Sequence, residues 1–378
     1  MGNVLIFLPQ IVILFGFIAV LEDCGYMARA AFLMDKLMSR CGLSGRSFIP
    51  LLSSFACAIP GVMATRTIED RRDRLATILV APLMSCSARL PVYILLIGTF
   101  IPATTILGIW NLQGLVLFSM YLIGLVLAPL VAWSLKKTVL RGDAPVFLME
   151  LPSYKFPSLR TIVDRMVDRG WAFCKRAGTL ILATTVVIWA LQYYPRPASV
   201  RESFAAELAK LETAAALPEA DQMSIEAEKT ALANRIEGAY QAQSILGRIG
   251  RAIEPVVEPL GWDWRIGMAA VAAFPAREVV VSALGTIYSV GADTDEESVD
   301  LRDALRKATW PDGRPVFTPV VALSLMVFFA LCCQCGATLA VIRRETNSWR
   351  WPIFTFFYMT GLAYVGALAV YQIGARLS

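Results

Sequence analysis

The sequence predicts an all-α polytopic membrane protein with about eight hydrophobic segments in two halves, some of the helices broken or re-entrant. Three observations predict it. Of 378 residues, 57% are hydrophobic and only 17% charged, and the mean hydropathy is +0.58. Apolar segments fall at 4–21, 48–65, 75–101, 112–135, 177–194, 264–290, 316–342 and 352–375, several of them longer than the roughly 20 residues that cross a hydrocarbon core. The charged residues crowd into the connections between these segments. Backbone facing lipid must satisfy its own hydrogen bonds, so helices are the expected form.

The first segment, Val4 to Val20, runs into Leu21-Glu22-Asp23-Cys24-Gly25-Tyr26-Met27-Ala28-Arg29. It carries no basic leader region, and Val20-Leu21-Glu22 is no cleavage site, so it reads as a span and not as a secretory leader. Two carboxylates and a thiol at the mouth of a span are costly and mark an ion or substrate path by default. Carboxylate with thiolate suits a borderline divalent metal such as Fe(II). The same residues also suit an interfacial role, with Glu22 and Asp23 pairing with Arg29 or capping a helix.

The second segment, Phe48 to Thr65, is short, polar at Ser53 and Ser54, and broken near Cys57 by Pro60-Gly61. A break exposes carbonyl groups beside the Cys57 thiol and the Met63 thioether, soft ligands acceptable to iron, copper or zinc. A cysteine in an apolar helix is also simply a small hydrophobe. Arg29, Lys36, Arg40 and Arg46 precede this segment, and Arg66, Arg71, Arg72 and Arg74 follow it. Both connections belong on the cytoplasmic side by charge, which requires the segment to enter and leave by the same face and puts Met1 outside. The third segment carries Ser85-Cys86-Ser87-Ala88-Arg89. Arg89 must face the bundle or reach toward water, and Glu22 or Asp23 would balance it.

The uncharged connection 102–111 faces outward on this scheme, and the basic stretch after the fourth segment faces the cytoplasm. Between 195 and 262 lies a polar insertion, read as two helices over 201–216 and 224–239 joined around Leu217-Pro218-Glu219. The segment 264–290 is interrupted at Pro275-Ala276-Arg277-Glu278. Interrupted segments in both halves point to a midplane site in a transporter, or to plain proline kinks. Arg277 and Glu278 suit each other as a pair, and Glu278 is otherwise the carboxylate ligand candidate of this half. In 316–342, Cys332-Cys333-Gln334-Cys335 puts Cys332 and Cys335 on one face of a helix, for a relay, a redox role or packing. Near the C-terminus, Arg302, Arg306, Lys307 and Arg314 compete with Arg343, Arg344 and Arg350 for the cytoplasmic side.

By composition, then, 1–140 is the first membrane half and 141–176 a basic cytoplasmic connection. Residues 177–194 are a transmembrane helix, 195–262 an extracytoplasmic helical insertion, and 263–378 the second membrane half. The absence of histidine excludes mechanisms built on imidazole. No phosphate-binding loop or hydrolase signature is present, so an enzyme is not expected. The net charge of +5 sits in short loops as a topology signal, which leaves nucleic acid out as a partner.

The motifs L-E-D-C-G-Y-M-A-R-A-A-F at 21–32, C-A-I-P-G-V-M-A-T-R-T-I-E-D-R-R-D-R-L at 57–75 and A-P-L-M-S-C-S-A-R-L-P-V-Y at 81–93 resemble the permease of the ferrous iron transporter B family. So do M-E-L-P-S-Y at 149–154, K-R-A-G-T at 175–179, R-E-V-V-V-S-A-L-G-T-I-Y at 277–288 and A-T-L-A-V-I-R-R-E-T-N-S-W-R-W at 337–351. The resemblance implies two gate-type halves and Fe(II) transport across the bacterial inner membrane. It also implies an N-terminal GTPase domain, through which alone GTP and Mg would act, and a span before Val4. That domain would be lost by truncation or supplied in trans, with small ferrous-transport accessory proteins, the lipid bilayer and a homo-oligomer as further partners. Carried over by position, the family's gate cysteines fall on Cys57 and Cys86, its Glu-Asp pair on Glu22 and Asp23, and its second charged pair on Arg277 and Glu278. Where the family reads C-N-V-P this chain has Cys57-Ala58-Ile59-Pro60, and Cys24 replaces a serine. The implied ligand set is Cys57, Cys86, Glu22 and Glu278, with Asp23, Cys24 and Met63 beside it and Arg29 and Arg89 balancing the carboxylates. The alternatives are a gate-type transporter of nucleosides or another small solute, and a non-transporting membrane scaffold or sensor.

Overall fold

The computed structural model describes the chain except residues 1, 107–109, 142–152, 174–177, 206, 208, 210–221, 275–276, 278, 289, 292–296, 311, 334 and 378. Glu278 therefore lies outside the described residues, as does most of the first insertion helix expected over 201–216. The architecture is helical, with one antiparallel ribbon of β1 (Thr105–Ile106) and β2 (Trp110–Asn111). Among the described residues, four helical stretches are long and apolar enough to cross a membrane: Arg71–Phe100, Leu112–Thr138, Pro319–Thr346 and Arg350–Leu377.

The described helices are α1 (Gly2–Asp23), α2 (Tyr26–Arg40), α3 (Phe48–Ala56), α4 (Ala58–Ala64), α5 (Arg71–Val80), α6 (Leu90–Phe100), α7 (Leu112–Thr138), α8 (Leu159–Phe173) and α9 (Thr179–Tyr193). They continue with α10 (Ala198–Ser203), α11 (Gln222–Gln243), α12 (Ile245–Val257), α13 (Trp264–Ala272), α14 (Val279–Ile287), α15 (Val299–Lys307), α16 (Pro319–Leu331), α17 (Gly336–Thr346) and α18 (Arg350–Leu377). The expected insertion helix 224–239 lies inside α11. Contacts divide the chain into two units. Unit 1 comprises Met1–Arg89, Phe118–Ala183 and Phe329–Ala363; unit 2 comprises Leu90–Leu117, Thr184–Phe328 and Tyr364–Ser378.

In unit 1, the re-entrant segment is a helical hairpin of α3 and α4 with Cys57 at its tip. The backbone of Cys57 is extended, with φ −156° and ψ 133°. Gly61 of α4 lies so close to α3 that a Cβ would stand 1.8 Å from Ser54 Oγ and 2.8 Å from the Pro50 carbonyl. Only glycine allows that approach. Beyond the hairpin ends, Arg46 Nη1 meets Glu69 Oε1 at 2.7 Å, so both ends lie on one side. Asp70 then caps α5 by accepting the Asp73 amide at 2.8 Å.

Two segments expected to be continuous helices are interrupted, which corrects the reading of 75–101 and 316–342. Arg71–Phe100 unwinds between α5 and α6 through two short 3-10 turns, Ala81–Leu83 and Ser87–Arg89. Pro319–Thr346 leaves its helix after Leu331 and re-enters at Gly336, with Cys335 extended at φ −148° and ψ 97°. Cys332 and Cys335 thus lie in an unwound stretch, and the helical spacing that put them on one face does not apply.

Unit 1 is held by an apolar cluster that includes Val62, Leu79, Leu83, Ala132, Cys333 and Ile342. Its charged rim is paired. Lys136 pairs with the fully buried Asp73, and Glu345 accepts from both Arg66 and Arg74. These pairs gather the ends of α7 and α17 at the basic 66–74 connection, so Arg343 and Arg344 take the side of that connection.

In unit 2, the rival basic group has another use. Arg306 donates through Nε and Nη2 to the carbonyl of Thr99, at 3.1 and 2.9 Å, near the C-terminus of α6. A cation on the last carbonyls satisfies groups the helix leaves open and suits its dipole. Unit 2 further packs Trp262 edge-on against Phe328, with centroids 5.0 Å apart. Ser324 ties α16 to α18 by donating to the Ala367 carbonyl at 3.1 Å.

Candidate functional site

The candidate site lies in unit 1, where three unwound stretches carry the cysteines the sequence singles out. Cys57 occupies the tip of the α3–α4 hairpin. Beside it, Ser87 Oγ donates to the Ala56 carbonyl at 3.4 Å, which brings the Cys86–Ser87 break against the Ala56–Cys57 break. The third break joins them through α17, which packs on α4. Cys57, Met63 and Cys335 all pack against the cluster in which Cys333 is buried. A broken helix leaves carbonyls and amides without helical partners, and soft sulfur ligands stand beside them here.

Arg89 shows how the middle break is stabilised. Its side chain is 1% exposed and donates to the Leu83 carbonyl at 3.3 Å, Ser85 Oγ at 3.1 Å and the Pro82 carbonyl at 3.1 Å. It thus takes up carbonyls that the broken helix frees, a demand that membrane depth makes strict. Gly124 of α7 lets that helix close on the break, where a Cβ would lie 2.9 Å from the Leu83 carbonyl.

A cavity of ≈ 380 Å³ opens beside the hairpin, lined by Glu22, Arg46, Ser53, Pro60, Thr67 and Arg165 together with apolar side chains of α1 and α2. Ser53 and Pro60 flank Cys57 in sequence, so Glu22 faces the same cavity as both arms of the hairpin. Glu22 Oε2 lies 3.3 Å from Arg165 Nη1. The rest of the Glu22-Asp23-Cys24 group is used elsewhere. Asp23 accepts the Ser158 amide at 2.8 Å, and the Cys24 thiol donates to the Leu21 carbonyl at 3.4 Å. Arg29 stacks over the Tyr154 ring with its guanidinium 3.5 Å from the centroid.

Sequence reasoning missed Arg165 as the partner of Glu22 and read it only as a topology charge. The signal is the position of α8, which packs along α1, with Met166 Sδ 2.8 Å from where a Cβ on Gly16 would stand. Arg277 is a buried residue of unit 2. Among the described residues no group of three or more Cys, Asp or Glu side chains stands close enough to form a ready metal cage.

Residues 4–100 and 174–349 match the family Gate, described as nucleoside recognition, and residues 117–169 match the ferrous iron transport protein B C terminus. A protein from Leptospira interrogans serogroup Icterohaemorrhagiae serovar copenhageni, named Fe(2+) transporter FeoB, is 44% identical over 98% of this chain and 49% of its own length. An Fe(2+) transport protein A/Fe(2+) transporter FeoB fusion protein from Porphyromonas gingivalis is 41% identical over 99% of this chain and 43% of its own. An Fe(2+) transporter FeoB from Staphylococcus aureus is 38% identical over 99% and 47%. The chain spans about half the length of the curated relatives it matches. No solved structure matches it.

Proposed function

Because the chain belongs to the gate family, as the membrane portion of a ferrous iron transporter B protein, we propose that it carries Fe(II) across the bacterial inner membrane. The observation that carries this reading is the meeting of two cysteine-bearing breaks at the tip of one re-entrant hairpin, with a third break leading into a helix that packs on the hairpin's second arm, beside a cavity that holds Glu22. Fe(II) is a borderline ion that accepts thiolate, thioether, carboxylate and carbonyl ligands alike. A cation entering the cavity would draw Glu22 away from Arg165 and lose part of its water there. Cys57 and Cys86, with Met63 nearby, then offer sulfur and freed carbonyls, and Cys332, Cys333 and Cys335 extend the path. Glu278 and Arg277 stand as the corresponding groups of the second gate half, 263–378, and Asp23 and Cys24 as supports at the mouth. Ligands taken in series and of mixed charge give moderate affinity, which release requires.

On this reading the protein is a transporter and not an enzyme. GTP and Mg act through a GTPase domain joined to or paired with it, and the fusion relative supports a small accessory protein as a further partner. The test is uptake of radioactive Fe(II) under reducing conditions by cells expressing this chain, with and without a separately expressed GTPase domain. Uptake that depends on the added domain is the expected result. Absence of uptake in both cases, with the protein folded in the membrane, overturns it. The nucleoside description of the gate family supports a second reading, transport of a nucleoside or similar solute, which metal-independent uptake of labelled nucleoside would establish in its place.

A further inference from the structure

Unit 2 holds a cavity of its own, ≈ 400 Å³, lined by Glu254, Asp263, Trp264, Arg265, Thr309 and Trp310. Asp263 is the N-cap of α13, its Oδ1 accepting the Ile266 amide at 2.9 Å, and it is 5% exposed. Glu254, on α12, faces the same cavity half-buried. Among the described residues neither carboxylate forms an ion pair.

Two nearby cations also lie against ring faces. The Arg265 guanidinium lies 5.6 Å from the Trp264 centroid and 5.4 Å from the Tyr288 centroid. The Arg251 guanidinium, from α12, lies 5.2 Å from the Trp264 centroid. Tyr288, the residue that follows α14, also stands in the field of Asp263. Asp263 and Glu254 therefore line one cavity together with Arg265, and the nearby Glu254 charge raises the cost of ionising the buried Asp263 while Arg265 lowers it.

We propose that Asp263, with Glu254 facing it across the cavity, is a proton-binding site through which unit 2 takes up one proton from water and releases it again. The proton adds to a carboxylate oxygen of Asp263 not used by the Ile266 amide, and the Glu254 charge favours its retention. Burial is the first cause that pushes the Asp263 carboxyl up to about 6, with Glu254 adding to it against the Ile266 amide, the Arg265 charge and the Arg265 amide. The site goes beyond the transport reading and is read without any uptake measurement.

The test is infrared titration of the purified full chain in lipid vesicles, following the protonated-carboxyl band from acid to neutral pH. The wild-type chain is expected to show a band that disappears with a midpoint around 6, and Asp263→Asn to lack it. Glu254→Gln should move the midpoint to lower pH, because a like charge is gone, and Arg265→Met should move it to higher pH. A band unchanged in Asp263→Asn overturns the proposal, as does a midpoint that ignores Glu254→Gln. Should Asp263→Asn fail to fold, the two midpoint shifts decide, since neither Glu254 nor Arg265 caps the helix.

Discussion

Arg66 grips Glu345 through two nearly parallel hydrogen bonds, Nε to Oε2 at 2.9 Å and Nη2 to Oε1 at 2.5 Å. Arg74 adds a third at 2.9 Å, and the Glu345 side chain is only 3% exposed. The clamp joins the connection after the hairpin to the end of α17. Glu345→Gln keeps the shape but removes the charge that both arginines use. Hydrogen bonds to charged groups contribute about 2 kcal/mol, so the variant should unfold at clearly lower denaturant. Arg66→Ala should cost less, because its side chain is 53% exposed and screened by solvent. Equal midpoints for wild type and Glu345→Gln would show the clamp to be idle.

The hairpin depends on Gly61. Gly61→Val places a Cβ 1.8 Å from Ser54 Oγ and 2.8 Å from the Pro50 carbonyl. Overpacking of this kind costs about 1–3 kcal/mol, and here it forces α3 and α4 apart. Adding Ser54→Gly should recover only part of the loss, since the Pro50 carbonyl cannot move as a side chain does. Thermal inactivation of the three proteins in one detergent checks the order; full recovery in the double variant would contradict it.

Cys57→Ser keeps the size of the side chain and exchanges a soft ligand for a hard one. Fe(II) uptake should fall by at least tenfold, about 1.4 kcal/mol, with protein level in the membrane unchanged. Cys24→Ser should leave uptake near wild type, because the Cys24 thiol is spent on the Leu21 carbonyl. Unchanged uptake in Cys57→Ser would remove the hairpin tip from the ion path.

Stability should depend on pH through Asp263. Its carboxyl is pushed up to about 6 from an ordinary 3.8, so between those values the folded chain binds more protons than the unfolded one. Stability from this group is complete below pH 3.8 and is lost as pH rises through 6, by at most about 3 kcal/mol. Asp263→Asn keeps an acceptor for the Ile266 amide and should flatten that slope. Unfolding midpoints at acid and neutral pH compare the two proteins, and parallel slopes would count against the assignment.

The membrane class, the hairpin and the candidate thiol at Cys57 were legible because each leaves a local mark: apolar runs, Pro60-Gly61, and arginines on both sides of a short segment. The break between α5 and α6 also carries a mark, Pro82, which the reading of a continuous span passed over, whereas the break after Leu331 carries none inside it. No proline or glycine stands between Leu331 and Cys335, so no residue inside that stretch announces it. Arg89 was legible as a buried charge, but its use on the Pro82 and Leu83 carbonyls exists only once the helix has broken. Arg302 and Arg306 left the topology of the last spans undecided, and the use of Arg306 on the Thr99 carbonyl, at a helix end far away in sequence, has no local mark either. Glu22 was found by charge at depth; its partner Arg165 comes from another segment and no spacing announces it.

The nine residues of α3 reach about 13 Å, a little under half of a hydrocarbon core of roughly 30 Å. A charge at the Cys57 tip therefore stands partway through the electric field across the bilayer. With about 2.3 kcal/mol per elementary charge per 100 mV, a divalent ion halfway through gains or loses about 2.3 kcal/mol there. If the tip holds the ion as proposed, the length of one short helix sets how strongly voltage acts on it: occupancy there should change by about fiftyfold for each 100 mV, with no charged side chain having to move.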